Sequence, residues 1–272
     1  MCFRFLEIAV GATLLWAAAG PAWAGEPLRV CADPDNPPLS QRDGGGFENR
    51  IAQMLADDLQ RPLQYAWLRD RRGFIRKTMG ADLCDLFIGV PVGLPKVRTS
   101  TPYYRSSFFF VTRSGDSAPL TSFDDPRLPS LRIGVQLIGI DPGTTPAGLA
   151  LARRGAAQRV VGYTLAGDDR PPAQRMVQAV AEGGLDSAVV WGPQAGRFVR
   201  QSTVPLRLNR AEAPPELAPL PFEFSIAMGV RPDDEALLAT VEDFLHRRRA
   251  DVDAVLAAHA VPRTDTAEEA RP

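Results

Sequence analysis

VCADPDNPP (residues 30–38), GFENRIA (46–52), RRGFIRKT (71–78), CDLFIGVPVG (84–93) and PYYRS (102–106) follow one another in the first part of this 272-residue chain. Residues 28–32, 63–68 and 86–90 read as short apolar strands, each ending in a polar, glycine or proline-rich segment. Between the first two lies a helix whose apolar face is Ile51, Met54, Leu55 and Leu59, at spacings i, i+3, i+4 and i+8. A short helix over residues 73–79 separates the second strand from the third. This is the β-α-β-α-β rhythm of a parallel sheet. In such sheets binding groups collect beyond the carboxyl ends of the strands, so a recognition cleft is expected there. Residues 33–38 carry Pro34, Pro37 and Pro38 and read as a loop denied both helix and ladder.

The rest of the chain repeats the pattern. Residues 107–112 form an apolar strand containing Phe108, Phe109 and Phe110, and the polar residues 113–117 read as a crossing to a second unit. Strands are expected over 131–136, 159–163 and 187–191, and helices over 145–154 and 172–181. Pro171 and Pro172 open the latter helix and Gly183 and Gly184 stop it. Residues 211–221, with four prolines, read as the return connector, followed by a strand at 224–230 and a helix at 233–245. Two lobes are therefore expected, one of residues 25–112 plus 222–272 and the other of 113–221. The polar tail beyond about residue 263 reads as disordered.

The first 24 residues read as a cleavable secretory signal: Arg4, an apolar stretch over 8–20, and Ala22-Trp23-Ala24 before Gly25. That stretch is shorter than the ~20 apolar residues of a membrane helix, and no later segment approaches that length. The expected location is the periplasm of a Gram-negative cell, with no membrane span in the mature chain. A formal net charge of −1, with both signs interspersed, leaves no basic field for nucleic acid. Of three cysteines, Cys2 leaves with the signal, while Cys31 and Cys84 meet an oxidising compartment. A disulfide and two buried thiols are both open for that pair, because neighbouring parallel strands can hold their Cα atoms beyond the ~7 Å limit.

No catalytic motif emerges. His246 and His259 have no ligand-spaced cysteine or carboxylate, so no metal site is expected. Asp33-Pro34-Asp35-Asn36 lacks the glycine and glutamate of a calcium loop. No phosphate loop or GxGxxG is present, so no cofactor is expected. Strand-end placement instead nominates a ligand- or partner-binding cleft of Asp33, Asp35, Asn36, Arg71, Arg72, Pro91, Tyr103, Gln136, Trp191 and Gly192. The arginine pair could clamp carboxylates or simply be solvated. Trp191 could stack on a ligand or pack beneath the hinge, and Tyr103 suits hinge packing before cleft lining.

LRVCADPDNPP (28–38), GFENRIA, RRGFIRKT, PYYRS, IGVQLIG (133–139), GDDRPPAQR (167–175), AVVWGP (188–193) and FSIAMGVR (224–231) together resemble the family 3 extracellular solute-binding proteins. Within them they are similar to the quinoprotein dehydrogenase-associated branch typified by MxaJ and XoxJ. The resemblance implies an α/β, two-lobed type II periplasmic binding-protein fold, each lobe a mixed, mostly parallel sheet flanked by helices around a central cleft. It also implies a non-catalytic accessory role in a PQQ-dependent methanol or alcohol dehydrogenase system, with the dehydrogenase or its cytochrome c as partner. The chain departs from the amino-acid receptors of the family in two places. The stretch VPVGLPKVRTST (90–101) does not put Arg98 in register to clamp a ligand carboxylate, and Trp191 stands where an aspartate would receive an amino group. The alternative is a receptor serving an ABC permease for a small solute other than a standard α-amino acid. A periplasmic dehydratase using Asp33 or Asp35 as general acid is a third reading.

Overall fold

The computed structural model describes residues 25–70, 73–116, 118–137, 145–164, 170–212, 215 and 221–265. The first third of the chain contains β1 (Leu28–Ala32), β2 (Asp35–Asn36), β3 (Ser40–Gln41), α1 (Phe47–Asp58), β4 (Leu63–Trp67), α2 (Phe74–Lys77), β5 (Leu86–Pro91) and β6 (Arg98–Thr99). A long strand, β7 (Tyr104–Arg113), leads to β8 (Ile133–Gln136), α3 (Pro146–Arg153), β9 (Val160–Tyr163), α4 (Pro172–Ala181), β10 (Ser187–Trp191), α5 (Gly192–Gln201) and β11 (Leu206–Arg210). The chain then returns through β12 (Glu223–Val230) and closes with α6 (Glu235–Arg247) and α7 (Arg249–Ala258).

The sheet runs β4-β1-β5-β12-β7-β10-β8-β9, with β11 on β7 and β6 on β12. β1 is parallel to β4 and β5, and β8 is parallel to β9 and β10. The pairs that join the two halves, β5-β12, β12-β7 and β7-β10, are antiparallel. β7 serves both halves: Tyr104 to Ser107 pair with β12, and Phe108 onward pair with β10 and β11. The exchange of partners thus falls inside β7, upstream of the residue-112 limit suggested by the polar stretch.

Each half has its own core. In the first, Phe47, Ile51 and Leu55 of α1 are buried on Leu28, Val30, Leu86, Ile88 and the inner faces of α6 and α7. α1 can start where it does because Gly46 lies against the loop before it, where a Cβ would stand 2.1 Å from the Leu39 carbonyl oxygen. In the second half, strand faces pack on α3 on one side, around Leu151 and Phe123, and on α4 on the other, around Met176 and Val180. The continuous apolar run of β10 is buried from Ser187 to Val190, as a strand covered on both faces requires.

The proline loop holds more order than its composition suggests. Asp35 and Asn36 pair with Gln41 and Ser40 in a two-stranded hairpin. Pro37 and Pro38 sit in the turn between the two strands, where no ladder N–H is needed. Cys31 and Cys84 are joined in a disulfide with a Cα separation of 5.3 Å. This lies inside the geometric limit for a bridge.

An ionic lattice closes the outer end of the first lobe. Arg29 holds Asp85 at 2.6 and 2.7 Å, and Arg231 reaches Asp85, Asp82 and the carbonyls of Met79 and Cys84. Burial alone would raise the Asp85 pKa, but the hydrogen bonds from Arg29 and Arg231 outweigh it and hold the carboxyl below its ordinary value. Asp85 therefore contributes stability above the ordinary carboxylate range and loses it as pH falls below that range. Arg231→Ala leaves two part-buried carbonyls without this donor, and we expect a loss of about 2 kcal/mol in urea unfolding at neutral pH. The loss should shrink in acid, where Asp85 is protonated in both states.

Candidate functional site

Among the described residues, two concave regions open at the strand ends. In the second lobe the ends of β8 and β10 and the starts of α3 and α5 border a half-open cavity of about 160 Å3. Phe108, Met176, Val189 and Trp191 make it apolar, and Gln136 and Gln194 supply amides. None of the described residues lining it is charged. In the first lobe a groove of about 840 Å3 runs along the end of β5 and past α2, from Asp70 and Gly89 to Arg76 and Lys96. Hydrogen bonds join the two lobes here and behind the cleft: Gln194 Nε2 donates to Asn36 Oδ1 at 3.1 Å, and Arg200 Nη1 donates to the Ala257 carbonyl at 3.3 Å.

The nominated residues divide by what they touch. Gln136 and Trp191 line the second-lobe cavity with Gln194, which the sequence did not flag, and Asn36 accepts a hydrogen bond from Gln194. Trp191 also packs edge-on, with ring centroids 5.6 Å from Phe108 and 5.4 Å from Phe224, so it fills the hinge as well as lining the cavity. Gly192 opens α5 against β7, where a Cβ would lie 2.7 Å from the Phe109 ring and 2.8 Å from Ser106 Oγ. Its role is therefore close approach. Pro91 lines the first-lobe groove.

Asp33 is buried and its carboxylate is already occupied. Oδ1 accepts the Asp35 N–H at 2.8 Å and Oδ2 the Asp70 N–H at 2.7 Å, tying the β1 loop to the β4 loop. Asp35 forms an exposed pair with Arg69 at 2.7 Å. Tyr103 is 1% exposed and donates its hydroxyl to the Ile88 carbonyl at 3.1 Å, which makes it a core residue under the hinge. Arg71 and Arg72 lie outside the described residues. Arg98, on β6, pairs with Glu235 at 2.8 Å.

The carboxyl that stands out is one that strand-end reasoning passed over. Glu48, in the first turn of α1, reaches under β5, where a Cβ on Gly89 would stand 2.3 Å from its Oε1. Two residues of β5, Ile88 and Gly89, oppose the single Met228 of β12, a bulge that bends the strand at this place. Among the described residues no donor hydrogen-bonds the Glu48 carboxyl. Burial, and then the nearby Asp70 and Asp33 charges, push its pKa up to about 8. Such a value leaves Glu48 largely protonated at neutral pH, next to Gly89 of the groove. The motif GFENRIA displayed this glutamate, but its partner Gly89 is near only through the fold.

Among the described residues no group of three or more His, Cys, Asp and Glu side chains could hold a metal ion, and no helix is long and apolar enough to cross a membrane. Two α/β lobes joined through exchanged strands, with polar groups at their strand ends, define the class of periplasmic solute-binding proteins. Crystal structures share this architecture: MxaJ from Methlophaga aminisulfidivorans MPT matches with a TM-score of 0.76 and 26% identity, over 87% of this chain and 99% of that one. The periplasmic binding protein XoxJ from Methylobacterium extorquens AM1 matches with a TM-score of 0.68 and 35% identity, over 88% of this chain and 100% of that one. Protein MoxJ of Methylorubrum extorquens is 34% identical over 248 residues, 86% of this chain and 81% of the relative. No protein-family model matches the chain. The chain belongs to the MoxJ family of MxaJ/XoxJ-like solute-binding proteins.

Proposed function

We propose that this protein is a non-catalytic periplasmic accessory factor of a PQQ-dependent methanol or alcohol dehydrogenase system, exported by the signal in residues 1–24. Its kinship with MoxJ, MxaJ and XoxJ supports the pathway. The observation that carries the accessory role is that none of the described residues lining the second-lobe cavity, Trp191, Gln136 and Gln194 among them, is charged. A buried ammonium or carboxylate would find no ionic partner among those residues, a penalty of roughly several kcal/mol. The partner is the dehydrogenase or its cytochrome c. Deletion of the protein is expected to depress alcohol-dependent dehydrogenase activity or its coupling to cytochrome, with restoration by the plasmid-borne chain. Unchanged activity, folding and cytochrome reduction in the deletion strain would refute this reading.

The largely apolar second-lobe cavity of about 160 Å3 also favours a second reading, a receptor that hands a small neutral solute to an ABC permease. A solute bound only by the folded protein raises its melting temperature, so a thermal-shift screen of neutral metabolites tests it.

A further inference from the structure

We infer that the first-lobe groove is a docking surface for an extended, acidic segment of a partner protein that also presents an aromatic or aliphatic side chain. The inference rests on the accessory reading only for the partner being a protein, and its basis is how this face is built. β4 and β5 both lie parallel to β1, and such strands are normally covered by a crossover helix on each face. Here α2, the crossover helix between β4 and β5, has four residues. The sheet face beneath it is finished instead by a small cluster around the Cys31–Cys84 bridge, in which Phe87 is buried while Phe74 and Leu94 remain partly exposed. The floor of the groove is thus apolar and braced covalently.

The rim is basic. Arg76 and Lys96 are exposed at the groove, and neither has an ion-pair partner among the described residues. Several arginines elsewhere are held in ion pairs, for example Arg29 with Asp85, Arg132 with Asp186, Arg247 with Asp58 and Arg263 with Asp253, whereas these two cations stand beside a concave surface. Unneutralised cations beside an apolar floor attract carboxylates flanking an apolar anchor. Charge complementarity of this kind steers the encounter, and the buried anchor supplies most of the affinity.

The test uses the mature protein with its disulfide intact and fluorescein-labelled peptides read by anisotropy. One peptide alternates acidic residues with phenylalanine and leucine, one replaces the acidic residues by lysine, and one replaces the apolar residues by serine. The first should bind saturably, weaken with salt, and lose roughly tenfold in affinity to R76E/K96E, whose melting temperature should stay unchanged because both side chains are exposed. L94S should weaken it without altering the salt dependence. Equal binding of the acidic and lysine peptides, full binding by the serine peptide, or no saturation below about 1 mM would overturn the inference. Self-association of the unliganded protein that R76E/K96E abolishes would assign the groove to a second copy of this chain and overturn it as well. Failure of the peptides with an intact deletion phenotype would refute the dock alone, whereas peptide binding with no deletion phenotype would refute the accessory role alone.

Discussion

Replacing Cys31 and Cys84 together by alanine is expected to lower the unfolding free energy by about 4 kcal/mol, the chain-entropy effect of a bridge that closes a 53-residue loop. For a chain of this size the midpoint of thermal unfolding should fall by roughly 10 °C. The two sulfurs lie in a buried cluster with Met79, Phe87 and Val90. Native protein should therefore resist reductant until it unfolds, and thiol titration should find no free thiol in folded or denatured mature protein. A double-alanine variant that melts with the parent would show that the bridge does not form. Folding in an oxidising compartment is implied by the same result, since the reduced chain would surrender much of the 5–15 kcal/mol typical of a native domain.

Glu48→Gln is expected to change the pH dependence of stability more than any other exchange in the cleft. A carboxyl whose folded pKa is raised keeps its proton in the folded state after the unfolded chain has released it. The folded state then binds more protons, and stability falls as pH rises from the ordinary value near 4.5 to about 8. Each unit of that window contributes at most about 1.4 kcal/mol, and since part of Glu48 still meets solvent we expect a total nearer 2 kcal/mol. Urea unfolding of the parent at pH 5 and pH 8.5 should show the decline, and the glutamine variant should flatten it. Asp85 acts with the opposite slope, but only in the acid range, so the two are separable. Parallel pH profiles for parent and variant would show that Glu48 ionises normally.

Much of the framework was readable because burial imposes periodicity. α4 and β10 fall at residues 172–181 and 187–191, as their proline start, glycine stop and unbroken apolar run require. α5 escaped notice because Gly192 and Pro193 resemble breakers, although proline in the first turn of a helix is well tolerated. β11 escaped because LRLNR offers only two alternating leucines and draws its stability from pairing with β7. Cleft residues were harder to read, since strand-end placement says where a side chain starts and not what it meets. Asp33 spends both oxygens on backbone amides, Tyr103 turns into the core, and Glu48 gains its character from a glycine on another strand. Such encounters belong to the fold and leave no periodic trace.

The position of β12 between β5 and β7 has a consequence for how the molecule is assembled in time. A chain that emerges from its N-terminus presents β1, β4 and β5 long before the strand that joins them to the rest, because the whole second lobe intervenes. β7 to β11 follow one another directly, so the second lobe can close as soon as it is complete. Until residues 223–230 arrive, β5 has an unsatisfied edge, and contacts of such long range form slowly. A bare edge of this sort pairs readily with other chains, so the partly emerged protein is open to aggregation during that interval. Truncation before β12 should consequently yield an aggregating first lobe and a folded second one.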